Sequence, residues 1–225
     1  MNIAVHGTGM VGQAIAGRLH QLGHSAVVGT RDPEATLART APDGMGNPPF
    51  SVWHSDHADV ELATFADAAA AAELVVNATS GAAALDVLGL ARAENLAGKV
   101  LVDISNPLDF SNGFPPTLFV KDTDSLGEQV QRAFPEARVV KTLNTLTASL
   151  MVEPKSLGES STIFVSGDDA VAKATVVELL ESFGHDDVID LGPLETARGT
   201  EMILPVWLRL MGALGTGAFN FKVVR

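Results

Sequence analysis

Short apolar runs alternate along this chain with longer stretches whose apolar residues recur at helical spacing, the pattern of a parallel sheet covered by helices on both faces. Asn2 to His6 reads as a strand, and Val11, Ile15, Leu19 and Leu22 mark one face of a helix that Gly23 ends. Ser25 to Gly29 is a second strand, so residues 2 to 29 form a βαβ unit of the length a right-handed crossover needs. Further strands are expected at Val60 to Phe65, Leu74 to Ala78, Val100 to Ile104 and Arg138 to Thr142, with helices near Asp67 to Glu73 and Ala82 to Ala93. Ser125-Leu126-Gly127-Glu128 has capping-box spacing before a helix that stops at Pro135. Residues 41–49, rich in proline and glycine, read as a surface loop. From Met151 a smaller pattern follows: strand Thr162 to Ser166, helix Asp169 to Phe183 closed by Gly184, strand Val188 to Leu191 and a C-terminal helix. The expectation is an α/β fold, a Rossmann-type doubly wound parallel sheet over 1–152 with a small α/β C-terminal domain over 153–225 that completes a cleft.

Composition narrows the chemistry. A chain of 225 residues supports one dinucleotide-sized domain and an appendage. Its 27 acidic residues against 15 Lys and Arg give a net charge of −12, a field that repels nucleic acid and anionic lipid, so neither is an expected partner. Cys and Tyr are both absent, which removes disulfides, thiolate metal sites, thiol catalysis and any tyrosine acid. Met1 to Val5 reads directly into a strand, so no leader is expected and a cytoplasmic location is. The most apolar stretch, Ile203 to Leu214, contains Pro205 and Arg209 and falls short of the ~20 residues that cross a bilayer. Its Trp207, Leu208, Leu210, Met211 and Leu214 suit core packing, a homodimer surface or the wall of a ring pocket, three roles compatible with one another. His54-Ser55-Asp56-His57 has metal-binding residue types, but neighbouring loop side chains rarely converge on one ion, and a solvated loop is expected. His6 is expected to pack beside the first turn.

The chemistry concentrates in Gly7-Thr8-Gly9-Met10-Val11-Gly12, a G-x-G-x-x-G between an apolar strand and an amphipathic helix. In such a motif the first glycine permits the turn, the second lets a pyrophosphate approach the backbone, and the third lets the helix lie close to the sheet. The helix N-terminus then offers free N–H groups and a favourable dipole to the anion. At the end of the second strand, where NAD-binding chains usually place a carboxylate for the ribose 2′-hydroxyl, this chain has Gly29-Thr30-Arg31. A hydroxyl followed by a guanidinium suits a 2′-phosphate, so NADP(H) is the expected dinucleotide. Asp32, next in line, reads as the cap of a helix that begins at Pro33.

With those segments in place the chain resembles the NADP oxidoreductase family that works with the deazaflavin coenzyme F420. Leu191-Gly192-Pro193-Leu194-Glu195-Thr196-Ala197-Arg198 and Leu210-Met211-Gly212-Ala213-Leu214-Gly215-Thr216-Gly217 look like that family's final segment. Asp103-Ile104-Ser105-Asn106-Pro107 and Lys141-Thr142-Leu143-Asn144-Thr145 also look like the cytosolic domain of membrane ferrireductases, a relative of the family. The resemblance implies hydride transfer between nicotinamide and deazaflavin in a cleft at the strand ends. It carries Thr8, Thr30 and Arg31 over as contacts to the adenosine phosphate. Ala35 stands where archaeal members have a basic residue, leaving Arg39 as a candidate replacement, and Asn144 stands where they have a histidine near the deazaflavin.

Such a transfer needs placement more than acid or base chemistry, so no strongly perturbed catalytic group is expected. The residues following successive strands are the candidate rim: Ala78, Thr79 and Ser80, then Asn106 and Pro107, then Asn144, Thr145 and Leu146 as positioning groups. Three readings follow. The first is an NADPH:F420 oxidoreductase, the second an NADPH-dependent flavin (FMN or FAD) or ferric reductase, the third an NADP(H) sensor without turnover. Lys121, Arg132 and Lys222 are candidates for a basic patch that receives the anionic tail of the deazaflavin.

Overall fold

A computed structural model describes residues 1–44 and 46–225; Met45, within the expected 41–49 loop, lies outside the described residues. Ten strands are present among them: β1 Asn2–His6, β2 Ser25–Thr30, β3 Glu61–Thr64, β4 Leu74–Asn77, β5 Val100–Asp103, β6 Leu108–Asp109, β7 Thr117–Leu118, β8 Arg138–Lys141, β9 Thr162–Gly167 and β10 Asp187–Asp190. Eight form one sheet in the order β10-β9-β8-β5-β4-β1-β2-β3, and β6 with β7 makes a separate hairpin. The first βαβ unit closes in register, Asn2 beside Ser25 through His6 beside Gly29. Six strands from β3 to β8 are parallel. β9 then reverses, pairing antiparallel with β8 through Val140 with Gly167 and Lys141 with Ser166, and β10 follows β9 in parallel. The segment from 153 onward thus adds its two strands to the edge of the same sheet.

Why the helices cover both faces follows from the period-two alternation of the strands. Ile3, Val5, Leu74, Val76, Val100, Val102 and Val140 point to one side, where they pack with Ile15, Leu19, Met151, Leu179 and Phe183 from helices Met10–Gln21, Ala148–Val152 and Ala170–Phe183. Ala4, Val75, Leu101 and Val139 point to the other, against Ala68, Ala69, Leu88 and Val130 from helices Phe65–Ala71, Ala84–Ala91 and Leu126–Ala133. Each fully buried Leu or Ile contributes roughly 1.5–3 kcal/mol relative to exposure.

Most expected boundaries hold. Helix Ala170–Phe183 is capped by Asp169, which accepts from the Ala172 N–H at 2.8 Å, and ends on Gly184 in the left-handed region at φ +105°. Three details differ. Phe65 starts a helix rather than ending a strand, because Thr64 accepts from the Asp67 N–H and nucleates the turn. Residues 50–55 form a helix where only a loop was expected, packed through Phe50 and Trp53 on the main core. The C-terminal helix is two pieces, Ala197–Met202 and Leu204–Leu214, with Leu204 and Leu208 buried and Trp207 stacked on Phe219 at 5.3 Å. None of the described helices is long and apolar enough to cross a membrane.

Candidate functional site

The glycine turn is built as its spacing requires. Gly7 has φ +122°, and a Cβ there would come within 2.7 Å of the Ala78 carbonyl oxygen. At Gly12 a Cβ would meet the Gly7 carbonyl oxygen at 1.9 Å, so only glycine lets helix Met10–Gln21 start against the turn. Gly9 faces open space. It is also the helix N-cap, with no side-chain cap and no acidic residue in the first turn, and the first amide bonded back to it is that of Gln13. The amides of Met10, Val11 and Gly12 are therefore left to an incoming anion. Gln13 closes the turn from the side, donating to the Thr8 carbonyl at 2.9 Å. His6, just below, is fully buried with neither ring nitrogen paired, edge-on to Phe65; burial pushes it down to about 4, so it stays neutral and serves packing.

Two adjoining cavities meet over this turn. One, of about 200 Å³, extends toward the β2 side along Thr8, Gln13, Thr36, Arg39 and Pro48. The other, of about 560 Å³, runs over the ends of β4, β5 and the segment after β8, lined by Met10, Val11, Ala78, Thr79, Ser80, Ile104, Ser105, Asn106, Leu146 and Met151, with Leu108 and Phe110 of the β6–β7 hairpin at its side. Gly9, Met10, Asp43 and Asn47 border both. The cleft lies where the strand order reverses around β1, the switch point at which open α/β sheets bind ligands.

Of the residues singled out from the sequence, Gly9, Met10, Val11, Ala78, Thr79, Ser80, Asn106 and Leu146 line the larger cavity, and Thr8 lines the smaller. Gly7, Gly12 and Pro107 are in neither lining. Arg31 is exposed at the end of β2 beside the smaller cavity's rim helix, whereas Arg39 is in its lining. Thr30 departs from expectation: its hydroxyl is buried against Thr36 at 2.8 Å, and Thr36 itself donates to the Asp32 carbonyl, so Thr30 must donate to Thr36. Its proton is spent inside the protein. Asp32 caps helix Pro33–Ala38 through the Ala35 N–H at 2.9 Å, as its position implied.

Asn144 and Thr145 are buried and outside the cavity lining. The Asn144 amide donates to Asn106 Oδ1 at 3.1 Å and to the Thr200 carbonyl at 3.0 Å, while Asn106 returns a bond to the Asn144 carbonyl. Asn144 therefore ties the cleft rim to helix Ala197–Met202. The preceding residue, Leu143, holds φ +60°, a conformation that costs a branched side chain energy and is imposed by the packing around this turn. In the His54 to His57 stretch, His54 and His57 each bond a backbone carbonyl, of Val60 and Trp53, and His57 stacks on Trp53 at 4.2 Å. Those bonds fix the rings in helix packing. Arg132 and Lys222 are already paired with Asp124 and Asp187, respectively, so neither is a free cation for an anionic tail.

Sequence reasoning missed the polar layer under the cleft. Lys141 is fully buried, and its ammonium meets Asp103 Oδ2 at 2.7 Å, Glu201 Oε1 at 2.9 Å and the Ser105 carbonyl. Burial alone would lower its pKa; Asp103 and Glu201 outweigh that and the net direction is upward. Glu201 also accepts the Leu126 and Gly127 amides at the start of helix Leu126–Ala133, acting as a cap supplied from another element. Only Lys141 sitting one residue past an apolar pair at a strand end hinted at this layer, since partners 38 and 60 residues away are invisible to local pattern.

Similarity to known proteins agrees with this geometry. The family described as NADP oxidoreductase, coenzyme F420-dependent, matches residues 2–107. The F420-dependent NADP reductase of Methanothermobacter marburgensis is 29% identical over 214 residues, 93% of this chain and 92% of that one. Metalloreductase STEAP3 of Rattus norvegicus is 29% identical over 210 residues, 91% of this chain but 37% of the longer relative. A crystal structure of a candidate F420-dependent NADP-reductase from Arthrobacter sp. FB24 superposes with a TM-score of 0.95 at 63% identity, each chain covered in full.

Proposed function

The chain belongs to the NADP oxidoreductase, coenzyme F420-dependent, family and is an NADP-dependent oxidoreductase; on that premise we propose that it transfers hydride between NADP(H) and a deazaflavin of the F420 type held in the same cleft. The observation that carries the proposal is the continuity of the two cavities across three unpaired helix amides. The amides of Met10, Val11 and Gly12 would hold the pyrophosphate of a dinucleotide, Arg39 and Arg31 its adenosine phosphate, and Thr79, Ser80 and Asn106 its nicotinamide end. The rest of the larger cavity, walled by Ile104, Leu108, Leu146 and Met151 with Phe110 at the edge, is apolar enough to take a second flat ring.

When bound, the two rings supply the hydride chemistry themselves. The protein residues place them: the glycine turn fixes one end of the dinucleotide, the strand ends fix the other, and Leu146 with Met151 excludes water from the contact. The test mixes purified protein with NADPH and either the deazaflavin or FMN and follows nicotinamide absorbance. Oxidation with the deazaflavin at a rate well above that with FMN is expected. Faster turnover with FMN would transfer the reading to a flavin reductase, and tight NADPH binding without oxidation by either would leave a sensor.

A further inference from the structure

The hydrogen bonds beneath the cleft have a fixed direction, and that direction reaches the ligand. Asp103, a carboxylate held by Lys141, can only accept. Its Oδ1 takes the Asn77 amide N–H at 2.9 Å and the Ser105 hydroxyl at 2.7 Å. Asn77 is thereby oriented with its nitrogen toward Asp103 and its oxygen toward Thr79, whose hydroxyl donates to it at 2.6 Å and whose N–H lies 3.4 Å from it. Turning the Asn77 amide over would set its oxygen against a carboxylate and its nitrogen against an N–H, so the arrangement has one orientation. Of the three hydroxyl residues lining the cavity, Ser80 is exposed, whereas the deeper pair, Thr79 and Ser105, have spent their protons downward. Their lone pairs are what remains for a ligand.

We propose that Lys141, Asp103 and Asn77 act as positioning residues that turn the floor of the cleft into a hydrogen-bond acceptor, selecting a ring that offers an N–H there, the primary amide of the nicotinamide. This rests on the dinucleotide reading above and adds to it a specific group on the dinucleotide and a specific oxygen, Thr79 Oγ1, that receives it. A floor of free hydroxyl rotors would accept a ketone as well as an amide, because each hydroxyl could turn to donate. A pair of hydroxyls that can only accept, Thr79 and Ser105, does not.

The test compares NADPH with its 3-acetylpyridine analogue, in which a methyl ketone replaces the amide and supplies no N–H, by calorimetric titration. Wild-type protein is expected to bind the analogue at least tenfold more weakly. Thr79→Val should weaken NADPH alone and bring the two ligands within about threefold of each other, and Thr79→Ser should restore the difference. Asn77→Leu releases the Thr79 proton without removing the hydroxyl, which can then donate to the ketone or accept from the amide, so the analogue should gain affinity until it comes within about threefold of NADPH, a gain that general loss of structure cannot produce. Equal binding of the two ligands to wild type, or an undiminished preference in Thr79→Val, overturns the proposal. If Asn77→Leu does not fold, the two Thr79 variants decide it. Failure of wild-type protein to bind either dinucleotide would instead remove the reading on which the proposal rests.

Discussion

The two ends of the cleft are built by opposite means. Toward β2 the cavity is framed by backbone amides, a glycine turn and exposed cations within the first fifty residues. Toward β8 it rests on a buried charged layer whose members, Asn77, Asp103, Lys141 and Glu201, come from four separate elements. The first end offers an anion groups that water can also reach, so its strength is local and divisible. The second has no solvent to compensate a missing partner, so it works as a unit.

Removing one member of the buried layer should therefore have the largest effect. Lys141→Met leaves two carboxylates facing each other without a cation and is expected to lower stability by about 3–5 kcal/mol in urea unfolding; a loss below about 1 kcal/mol would mean the layer is wetter than its geometry indicates. His6 provides a second, smaller break between the two ends. Its folded pKa of about 4 lies below its ordinary 6.5, so the unfolded chain binds the extra proton first. Stability is full above pH 6.5 and falls as pH drops toward 4, by roughly 3 kcal/mol in all; His6→Leu should flatten that portion of a stability-against-pH curve.

At the phosphate end the effects should be smaller and additive. Arg39→Ala is expected to weaken NADPH about tenfold, the value of one charge-assisted hydrogen bond, with NADH unchanged. Arg31→Ala should do the same on its own, and the double variant should show the product of the two losses, since independent cations on a solvated rim do not couple strongly. A double variant no worse than either single one would show that the rim is a unit as well. The smallest expected change is in Asp32→Ala, which removes one helix cap and about 1 kcal/mol, detectable as a shift in thermal midpoint with NADPH preference retained.

The same contrast explains what could be read from the chain. The turn, the helix it opens and the absence of a carboxylate after β2 are relations between residues a few positions apart, and each survives in the structure. Asp32 as a cap was legible for the same reason. Thr30 was not, because its hydroxyl is claimed by Thr36, a contact between strand end and helix that only the folded chain reveals. Asn144 was correctly placed at a strand end, yet its amide faces Thr200 and Asn106 and not the cavity. Of the polar layer only the position of Lys141 gave a hint, since Asp103 and Glu201 taken singly look like any charged residues flanking a strand or helix.

The reversal of β9 has a bearing on how such a protein can change its acceptor. Strand termini that point into the cleft stop at β8, and beyond that edge the enclosure is completed by the turn after Lys141, the short helix carrying Met151 and the segment around Thr200 that Asn144 clasps. These surroundings lie more than a hundred residues from the glycine turn, and among the described residues they meet its helix through apolar packing rather than through a side-chain hydrogen bond. On the proposed reading, selectivity for a second ring would be set in the late part of the chain and the grip on the dinucleotide in the early part.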